Sequence, residues 1–434
     1  MLHRIRHSGN ELLSPDAWKT RIVFWTGAVV VGGLAVAFAE AAEVANHLFL
    51  EHIAPDRWLP FLVCPAGLML IAWLTRRHVP GAAGSGIPQA IAAIGMTEHV
   101  TRTHLLSFKI AFSKIVLCLM GLLSGASIGR EGPTVHVGAA IMFSLGRFAR
   151  FPHHYMDRGL ILAGGAAGIA AAFNTPLAGI LFAIEELGRS FEERTSGVLL
   201  TAVFLAGIMA VALQGNYSYF GSTDAHLTPS EMFLPILVCG IGGGLFGGLF
   251  AQALIWSSRR LPACCGKHPL LVALACGLIL AAIGLAAGGL TYGTGYREAS
   301  QLVTGTGELP ASYAFLKMAA TWISYLSGIP GGIFAPSLAA GAGVGSLIAE
   351  WFPALPFTAI VILGMVGYFT GVVQTPITAL VIVMEMTGDH GLVLPLMATA
   401  FLAHVTSRVL CPEPIYRALA ANFLPPQPAR SEEK

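Results

Sequence analysis

The sequence predicts an all-α polytopic membrane protein, and two observations support this prediction. The 434 residues are 55% apolar and only 11% charged, with a mean hydropathy of +0.70, whereas soluble chains carry about 25% charged residues. Long stretches also lack Asp, Glu, Lys and Arg, and a run of about 18 apolar residues can cross a bilayer as a helix. The uncharged stretches are 22–39, 58–75, 159–184, 195–223, 232–258, 268–296, 318–349 and 351–384. Several of them are long enough to hold two segments.

The first span sets the predicted orientation. Basic residues precede the first span and follow the second, whereas the loop between these spans is mainly acidic. The positive-inside rule therefore places the N-terminus in the cytoplasm. We expect residues 1–20 to form a cytoplasmic segment, 21–424 a single transmembrane transport domain, and 425–434 a disordered cytoplasmic tail. The first span lacks a small-residue cleavage site, so we interpret it as a retained helix and not as a signal peptide.

The composition also argues against several kinds of partner. The formal net charge is +2, and no basic stretch is long enough to follow a nucleic-acid backbone. The seven cysteines form no disulfide framework, and no pair of histidines has the spacing of metal ligands. We therefore expect no nucleic acid, no metal and no cofactor.

The chain repeats itself at an offset of about 200 residues. Thr175-Pro176 and Thr375-Pro376 lie 200 residues apart, and Glu185 aligns with Glu385 at the same offset. The segment Gly-Arg-Glu-Gly-Pro at 129–133 has a counterpart in Gly-Ile-Phe-Ala-Pro at 332–336. Paired broken segments in two halves are typical of transporters with a site near the membrane midplane. We expect two related halves, at about 21–215 and 230–424.

Three motifs combine glycine and proline within apolar stretches. Each places proline where a helix would start, and a helix start offers free N–H groups and the positive end of the helix dipole. Several such starts together would bind an anion without a full positive charge, which would hold a halide too tightly for conduction. The motifs are Gly84, Ser85, Gly86, Ile87, Pro88; Gly129, Arg130, Glu131, Gly132, Pro133; and Gly332, Ile333, Phe334, Ala335, Pro336.

Two acids are the candidate proton carriers. Ionised Glu131 could occupy the anion site and protonated Glu131 could leave it, although a capping carboxylate paired with Arg130 is the alternative. Glu185 and Glu186 are adjacent, so they cannot face the same cavity from one helix. Glu185 has the repeat partner Glu385, which indicates a structural role, whereas Glu186 aligns with a methionine. This difference favours Glu186 for function.

Two hydroxyl groups are weaker candidates on the residues alone. Ser85 lies between two glycines and could donate to a dehydrated halide, although a lone serine is more often a packing or capping residue. Tyr416 follows the last long span. Its hydroxyl could reach an anion, but a tyrosine near the end of a span is more often an interfacial anchor.

Taken together and in order, these motifs resemble the CLC family of chloride channels and proton/chloride antiporters. The stretch Ala-Ala-Phe-Asn-Thr-Pro-Leu-Ala-Gly-Ile-Leu-Phe-Ala-Ile-Glu-Glu at 171–186 is also similar to its counterpart in the family. The resemblance covers about residues 20–424 and implies an inverted-repeat fold of tilted, partly broken helices. It also implies a homodimer with one anion pathway per subunit.

The resemblance assigns roles to single residues. It implies that Ser85 and Tyr416 bind chloride through their hydroxyls, and that Ile333 and Phe334 bind it through backbone N–H groups. Glu131 would be the outer gate and proton acceptor, and Glu186 the internal proton-transfer acid. Family members that are channels commonly lack an acid at the position of Glu186.

We therefore predict a secondary active transporter, not an enzyme, that exchanges chloride for protons. The resemblance to prokaryotic members without C-terminal regulatory domains implies a multi-pass protein of a bacterial inner membrane with both termini cytoplasmic. A passive voltage- or pH-gated chloride channel of the same fold is the alternative. An intramembrane hydrolase that uses Ser85 as nucleophile and His136 as base would leave the three glycine–proline motifs unexplained.

Overall fold

In the computed structural model, the described residues are 15–96, 99–148, 153–188, 193–215 and 217–424, and they form a helical bundle. The predicted tail 425–434 and residues 1–14 of the predicted N-terminal segment lie outside these ranges. The helices of the first half are α1 (Pro15–His52), α2 (Leu59–His78), α3 (Ile87–Gly95), α4 (His99–Leu105), α5 (Phe108–Leu123), α6 (Glu131–Leu145), α7 (His153–Phe173), α8 (Pro176–Phe182) and α9 (Glu193–Gln214). Those of the second half are α10 (Phe233–Cys265), α11 (Pro269–Ala286), α12 (Tyr296–Val303), α13 (Tyr313–Leu326), α14 (Phe334–Ala349), α15 (Phe357–Val373), α16 (Pro376–Thr387), α17 (Val393–Leu410) and α18 (Ile415–Ala420).

The prediction of an all-α membrane protein is confirmed. Among the described residues, seven helical stretches are long and apolar enough to cross a bilayer. Several uncharged stretches do hold two helices each: 159–184 is divided between α7 and α8, 318–349 between α13 and α14, and 351–384 between α15 and α16. Helices α8, α14, α15 and α16 are each shorter than a full span, so they are the broken helices that the sequence predicts.

Glycines let the central helices approach closely. A Cβ atom on Gly164 of α7 would lie 2.2 Å from the carbonyl oxygen of Gly138 on α6. In the second half, a Cβ atom on Gly364 of α15 would lie 2.2 Å from the Cα atom of Gly345 on α14. Small residues at crossings are the usual means of packing membrane helices. The pair α6–α7 and the pair α14–α15 therefore pack in the same way.

The acids predicted to share a structural role hold the two halves together. The Glu185 carboxylate accepts the backbone N–H groups of Ile377 (3.3 Å) and Thr378 (2.7 Å) at the start of α16. The Glu385 carboxylate accepts those of Leu177 (3.2 Å) and Ala178 (2.8 Å) at the start of α8. Each acid thus caps the helix of the other half.

This exchange of caps fixes the relation between the halves. The residues after α8 contact the start of α16, and the end of α16 contacts the start of α8, so the two helices run antiparallel. The preceding turns also match, since Asn174 and Gln374 both have positive φ angles, of 56° and 60°. The halves are therefore related by a two-fold axis and inverted with respect to each other.

Candidate functional site

The three glycine–proline motifs meet at the centre of the bundle. Gly129 and Gly332 exchange two backbone hydrogen bonds, both of 2.7 Å, in an antiparallel bridge. Gly84 donates to the carbonyl oxygen of Ile329 and accepts from Gly331, both at 3.3 Å. These short bridges fix the starts of α3, α6 and α14 beside one another.

The helix starts differ in one detail from the sequence prediction. The motif prolines were expected at the first helical position, but Pro88 is the second residue of α3, and Pro133 and Pro336 are the third residues of α6 and α14. Arg130 and Ile333, which precede the two longer helices, already have helix-like dihedral angles. The helices begin earlier because the first three N–H groups need no intrahelical acceptor, so proline is tolerated throughout that turn.

Glu131 lies where α6 and α14 converge. Its side chain is fully buried, and its carboxylate faces the backbone N–H groups of Arg130, Glu131 and Ala335. A Cβ atom on Gly129 would lie 2.2 Å from Glu131 Oε2 and 3.3 Å from the Ala335 nitrogen. Neither carboxylate oxygen forms a hydrogen bond of standard geometry with a described residue. The carboxylate thus lies among N–H donors from the starts of α6 and α14.

Ser85 lies against the start of α6. The side chain is 1% exposed and its hydroxyl has no hydrogen-bond partner among the described residues. A Cβ atom on Gly132 would lie 2.2 Å from Ser85 Oγ, so the glycine is needed to let the two motifs touch. A buried hydroxyl without a protein partner is uncommon and needs a ligand or water to satisfy it.

Ile333 and Phe334 begin α14 and are both buried. The Phe334 ring lies 4.4 Å from that of Phe369, 5.6 Å from that of Phe173 and 6.3 Å from that of Phe182, measured between centroids. This aromatic cluster holds the start of the helix in place. It also excludes charged side chains from one side of the site.

Tyr416, at the start of α18, is fully buried and is therefore not an interfacial anchor. Its hydroxyl has no hydrogen-bond partner among the described residues and lies within electrostatic range of Glu131 and Glu186. Helix α18 packs on α3, which carries the Ser85 motif. The structure thus brings Ser85, Glu131, Phe334 and Tyr416 together in one region.

Glu186 lies on a wide helical turn. Residues Ala183–Gly188, which follow α8, form a π-helix, and such turns change the direction of side chains within a helix. Glu186 is 1% exposed, whereas the neighbouring Glu185 is only partly buried and caps α16. The two acids thus point to different surroundings, as the sequence predicts.

The sequence reasoning did not foresee the buried basic side chains beside the three motifs. Lys114 of α5 is fully buried, and its Nζ donates to the carbonyl oxygen of Gly84 at 3.2 Å. Arg130 is buried as well. Two basic side chains therefore lie near the predicted anion site, and the Gly84 carbonyl holds the amine of one of them. The signal was present in the sequence, because Lys114 recurs as Lys317 at the same offset of 203 that relates Gly129 to Gly332.

His136 is a packing residue and not a base. It is fully buried, and its Nε2 lies 2.9 Å from the carbonyl oxygen of Leu105. No described residue, His136 included, makes a hydrogen bond to the Ser85 hydroxyl. The geometry therefore does not support nucleophilic chemistry at Ser85.

Comparison with known proteins gives consistent matches. The profile of the voltage gated chloride channel family matches residues 67–408. The H(+)/Cl(−) exchange transporter ClcA of Vibrio cholerae is 32% identical, and the alignment covers 98% of this chain and 94% of that protein. ClcA of Cronobacter sakazakii is also 32% identical, with coverage of 97% and 94%.

Solved structures match over almost the whole chain. A slow cyanobacterial Cl−/H+ antiporter superposes with a TM-score of 0.79 at 26% identity, covering 96% of this chain and 99% of that one. A CLC-type fluoride/proton antiporter has a TM-score of 0.77 at 23% identity, with coverage of 92% and 96%. The latter likeness concerns the fold alone.

Proposed function

Because the chain belongs to the voltage-gated chloride channel family, we propose that it exchanges chloride for protons across a membrane. The observation that carries this proposal is the buried carboxylate of Glu131, which lies among backbone N–H donors from two helix starts. The relatives named as H(+)/Cl(−) exchange transporters support it.

Chloride is bound by dipoles at the centre of the bundle. The backbone N–H groups of Ile333 and Phe334 and the hydroxyls of Ser85 and Tyr416 are its ligands. Helix starts favour anions, and both hydroxyls are buried without a described protein partner. Lys114 adds an attractive field, while its bond to the Gly84 carbonyl keeps the binding weak enough for release.

Glu131 couples the two ions. When ionised, the carboxylate occupies the donor ring and excludes chloride by charge and by volume. When protonated, it loses its attraction to the N–H groups and swings away, and chloride takes its place. Each chloride that enters from the side of Glu131 therefore requires protonation of the Glu131 carboxylate.

Glu186 carries protons between Glu131 and the cytoplasm. The Tyr416 hydroxyl lies within electrostatic range of both acids, so they border the same chloride site from two sides. The proton passes between the two acids through water.

The protein is a homodimer of a bacterial inner membrane with both termini in the cytoplasm. All ligands of the chloride site come from one chain, which supports a separate pathway in each subunit. The basic residues Arg76 and Arg77 at the end of α2 support the orientation.

Proteoliposomes test the exchange. The membrane potential is clamped with potassium and valinomycin, an inward chloride gradient is imposed, and the external pH is recorded. An exchanger drives protons outward as chloride enters, so the external medium acidifies against the proton gradient. Chloride movement without proton flux would overturn the proposal and identify a passive channel.

Two variants test the assigned acids. Glu131→Ala should leave chloride flux that is independent of protons, and Glu186→Gln should abolish proton movement while chloride still moves. Glu185→Gln, one residue away, is the matched control and should keep the coupling. Proton transport that survives Glu186→Gln would show that another residue carries the proton.

A further inference from the structure

A cavity of about 780 Å³ opens at the end of the bundle where α1 terminates, next to the start of α6. We call it the outer cavity. The last turns of α1 form one wall, with Glu40, Glu43 and Glu51. The other wall contains Arg130, Tyr217, Tyr219, Thr294 and Tyr296. The residues named for the second wall are hydrogen-bond donors and include no acid. No step described above uses this wall.

The second wall contains a copy of the Ser85 loop. Gly84-Ser85-Gly86 and Gly293-Thr294-Gly295 lie 209 residues apart, and all four glycines have positive φ angles: 69° and 112° in the first loop, 66° and 78° in the second. Each loop leads into a helix, α3 at Ile87 and α12 at Tyr296. Thr294 thus takes the place of Ser85 in the second half.

The surroundings of the two loops confirm the correspondence. Lys317 Nζ donates to the Gly293 carbonyl at 2.8 Å, as Lys114 Nζ donates to that of Gly84. A Cβ atom on Gly86 would meet His136 Cβ and Lys114 Nζ, and one on Gly295 would meet Ala339 Cβ and Lys317 Nζ. The pairs 114/317 and 136/339 both have the offset of 203. Because the halves are inverted, the second loop faces the opposite end of the pathway.

A tyrosine accompanies each loop. Tyr416 follows α17, and Tyr219 follows α9, which is the repeat counterpart of α17. The Tyr219 ring lies 4.9 Å from that of Tyr296 and 5.8 Å from the guanidinium carbon of Arg130. The outer cavity therefore has its own loop hydroxyl and tyrosine, as the chloride site has Ser85 and Tyr416.

Two donor groups in the outer cavity have no acceptor among the described residues, although Tyr219 satisfies another part of the Arg130 guanidinium. Arg130 is 8% exposed, and its Nε has no hydrogen-bond partner among the described residues. Thr294 is also 8% exposed, and its hydroxyl accepts the Tyr296 N–H at 3.3 Å, which leaves the hydroxyl proton free to donate. Buried donors are normally satisfied, and a guanidinium is best satisfied by an anion.

We propose that the outer cavity holds a second chloride site, built as the inverted copy of the Ser85 site, with the Thr294 hydroxyl and the Arg130 guanidinium as ligands. The identification of the anion as chloride rests on the proposed function. The geometry that binds an anion is independent of that function. The site lies on the outer side of Glu131. Chloride bound there is the chloride that takes the place of the Glu131 carboxylate.

The acids of the opposite wall keep this site weak. Glu40 accepts a hydrogen bond from Gln214 Nε2 at 3.2 Å, and Glu51 lies 3.1 Å from His47 Nε2. Glu43 and Arg297 also line the cavity. Carboxylates that line the same cavity reduce its net attraction for chloride, and weak binding is what a transport pathway requires.

Bromide tests the site directly, because its anomalous scattering locates it in crystals. We expect a bromide peak beside Thr294 and Arg130 in the wild-type protein that is lost in Thr294→Val. In proteoliposomes, Thr294→Val should raise the half-saturating chloride concentration on that side about tenfold, the effect of losing one hydrogen bond to a charged group. Thr291→Val is the matched control, since Thr291 is buried in the same loop but does not line the cavity.

The absence of a bromide peak, or a peak that persists unchanged in Thr294→Val, would overturn the proposal. An unchanged half-saturating concentration would overturn the role of the site in transport. If the wild-type protein moved no chloride at all, the proposed function would fail, and the crystallographic result alone would then decide whether the anion site exists.

Discussion

The neighbouring acids Glu185 and Glu186 should respond in opposite ways to the same substitution. Glu185 accepts two backbone N–H groups of α16 and also the Thr378 hydroxyl, at 2.7 Å. Hydrogen bonds to a charged acceptor contribute about 1.5–3 kcal/mol each and caps about 1 kcal/mol. Because Glu185 is partly exposed and glutamine can still accept, Glu185→Gln should lower the free energy of unfolding by only about 1–3 kcal/mol.

Thermal unfolding in detergent, followed by tryptophan fluorescence, measures this loss. Glu185→Gln should melt several degrees below the wild type and keep proton coupling, whereas Glu186→Gln should melt like the wild type and lose coupling. Glu385→Gln, which weakens two hydrogen bonds instead of three, should have a smaller effect than Glu185→Gln. Loss of coupling in Glu185→Gln without a change in melting temperature would refute this division of roles.

Three further predictions concern the chloride site. Gly132→Ala would place a Cβ atom 2.2 Å from Ser85 Oγ and 2.9 Å from the Ser85 carbonyl oxygen, so chloride flux should fall about tenfold. Gly95→Ala is the control and should leave flux unchanged, because nothing lies within 4 Å of the added Cβ atom. Equal flux in both variants would contradict the predicted contact. Tyr416→Phe removes a buried hydroxyl with no described protein partner, so calorimetry should show chloride binding weakened about tenfold. Unchanged binding with a lower melting temperature would show that the hydroxyl serves stability instead. Lys114→Met should also weaken chloride binding because it removes a buried N–H donor beside the Ser85 loop, with coupling retained in proteoliposomes. Unchanged binding would show that the lysine only supports the Gly84 carbonyl.

Much of this site could be predicted because its chemistry is carried by short segments. Glycine and proline mark the helix starts locally, and Glu131 stands out as an acid within an apolar stretch. The roles of Glu185 and Glu186 could be separated because the repeat aligns one of them with an acid and the other with a methionine. The cross-capping of α8 and α16 agrees with the structural role expected for Glu185, and the role of Glu186 stays a prediction.

Other features depend on contacts between distant segments. Lys114 lies beside the Gly84 loop only because α5 packs there, and in the sequence only its repeat partner Lys317 could have pointed to it. The copy of the Ser85 loop at 293–295 lacks the proline of the first motif, so its short Gly-Thr-Gly pattern identifies it only together with the φ angles and the lysine contacts. The buried position of Tyr416 follows from the packing of α18 on α3, which no local pattern reveals.

Proton uptake on chloride binding tests most directly the central claim that the Glu131 carboxylate and chloride compete for one site. Chloride is added to the detergent-solubilised protein in a weakly buffered solution, and the pH is followed. Chloride that displaces the carboxylate favours its protonation, and linkage requires the two effects to be reciprocal. The wild-type protein should therefore take up protons as chloride binds, whereas Glu131→Gln should bind chloride without a change in pH. Proton uptake of equal size in Glu131→Gln, or none in the wild type, would contradict the account.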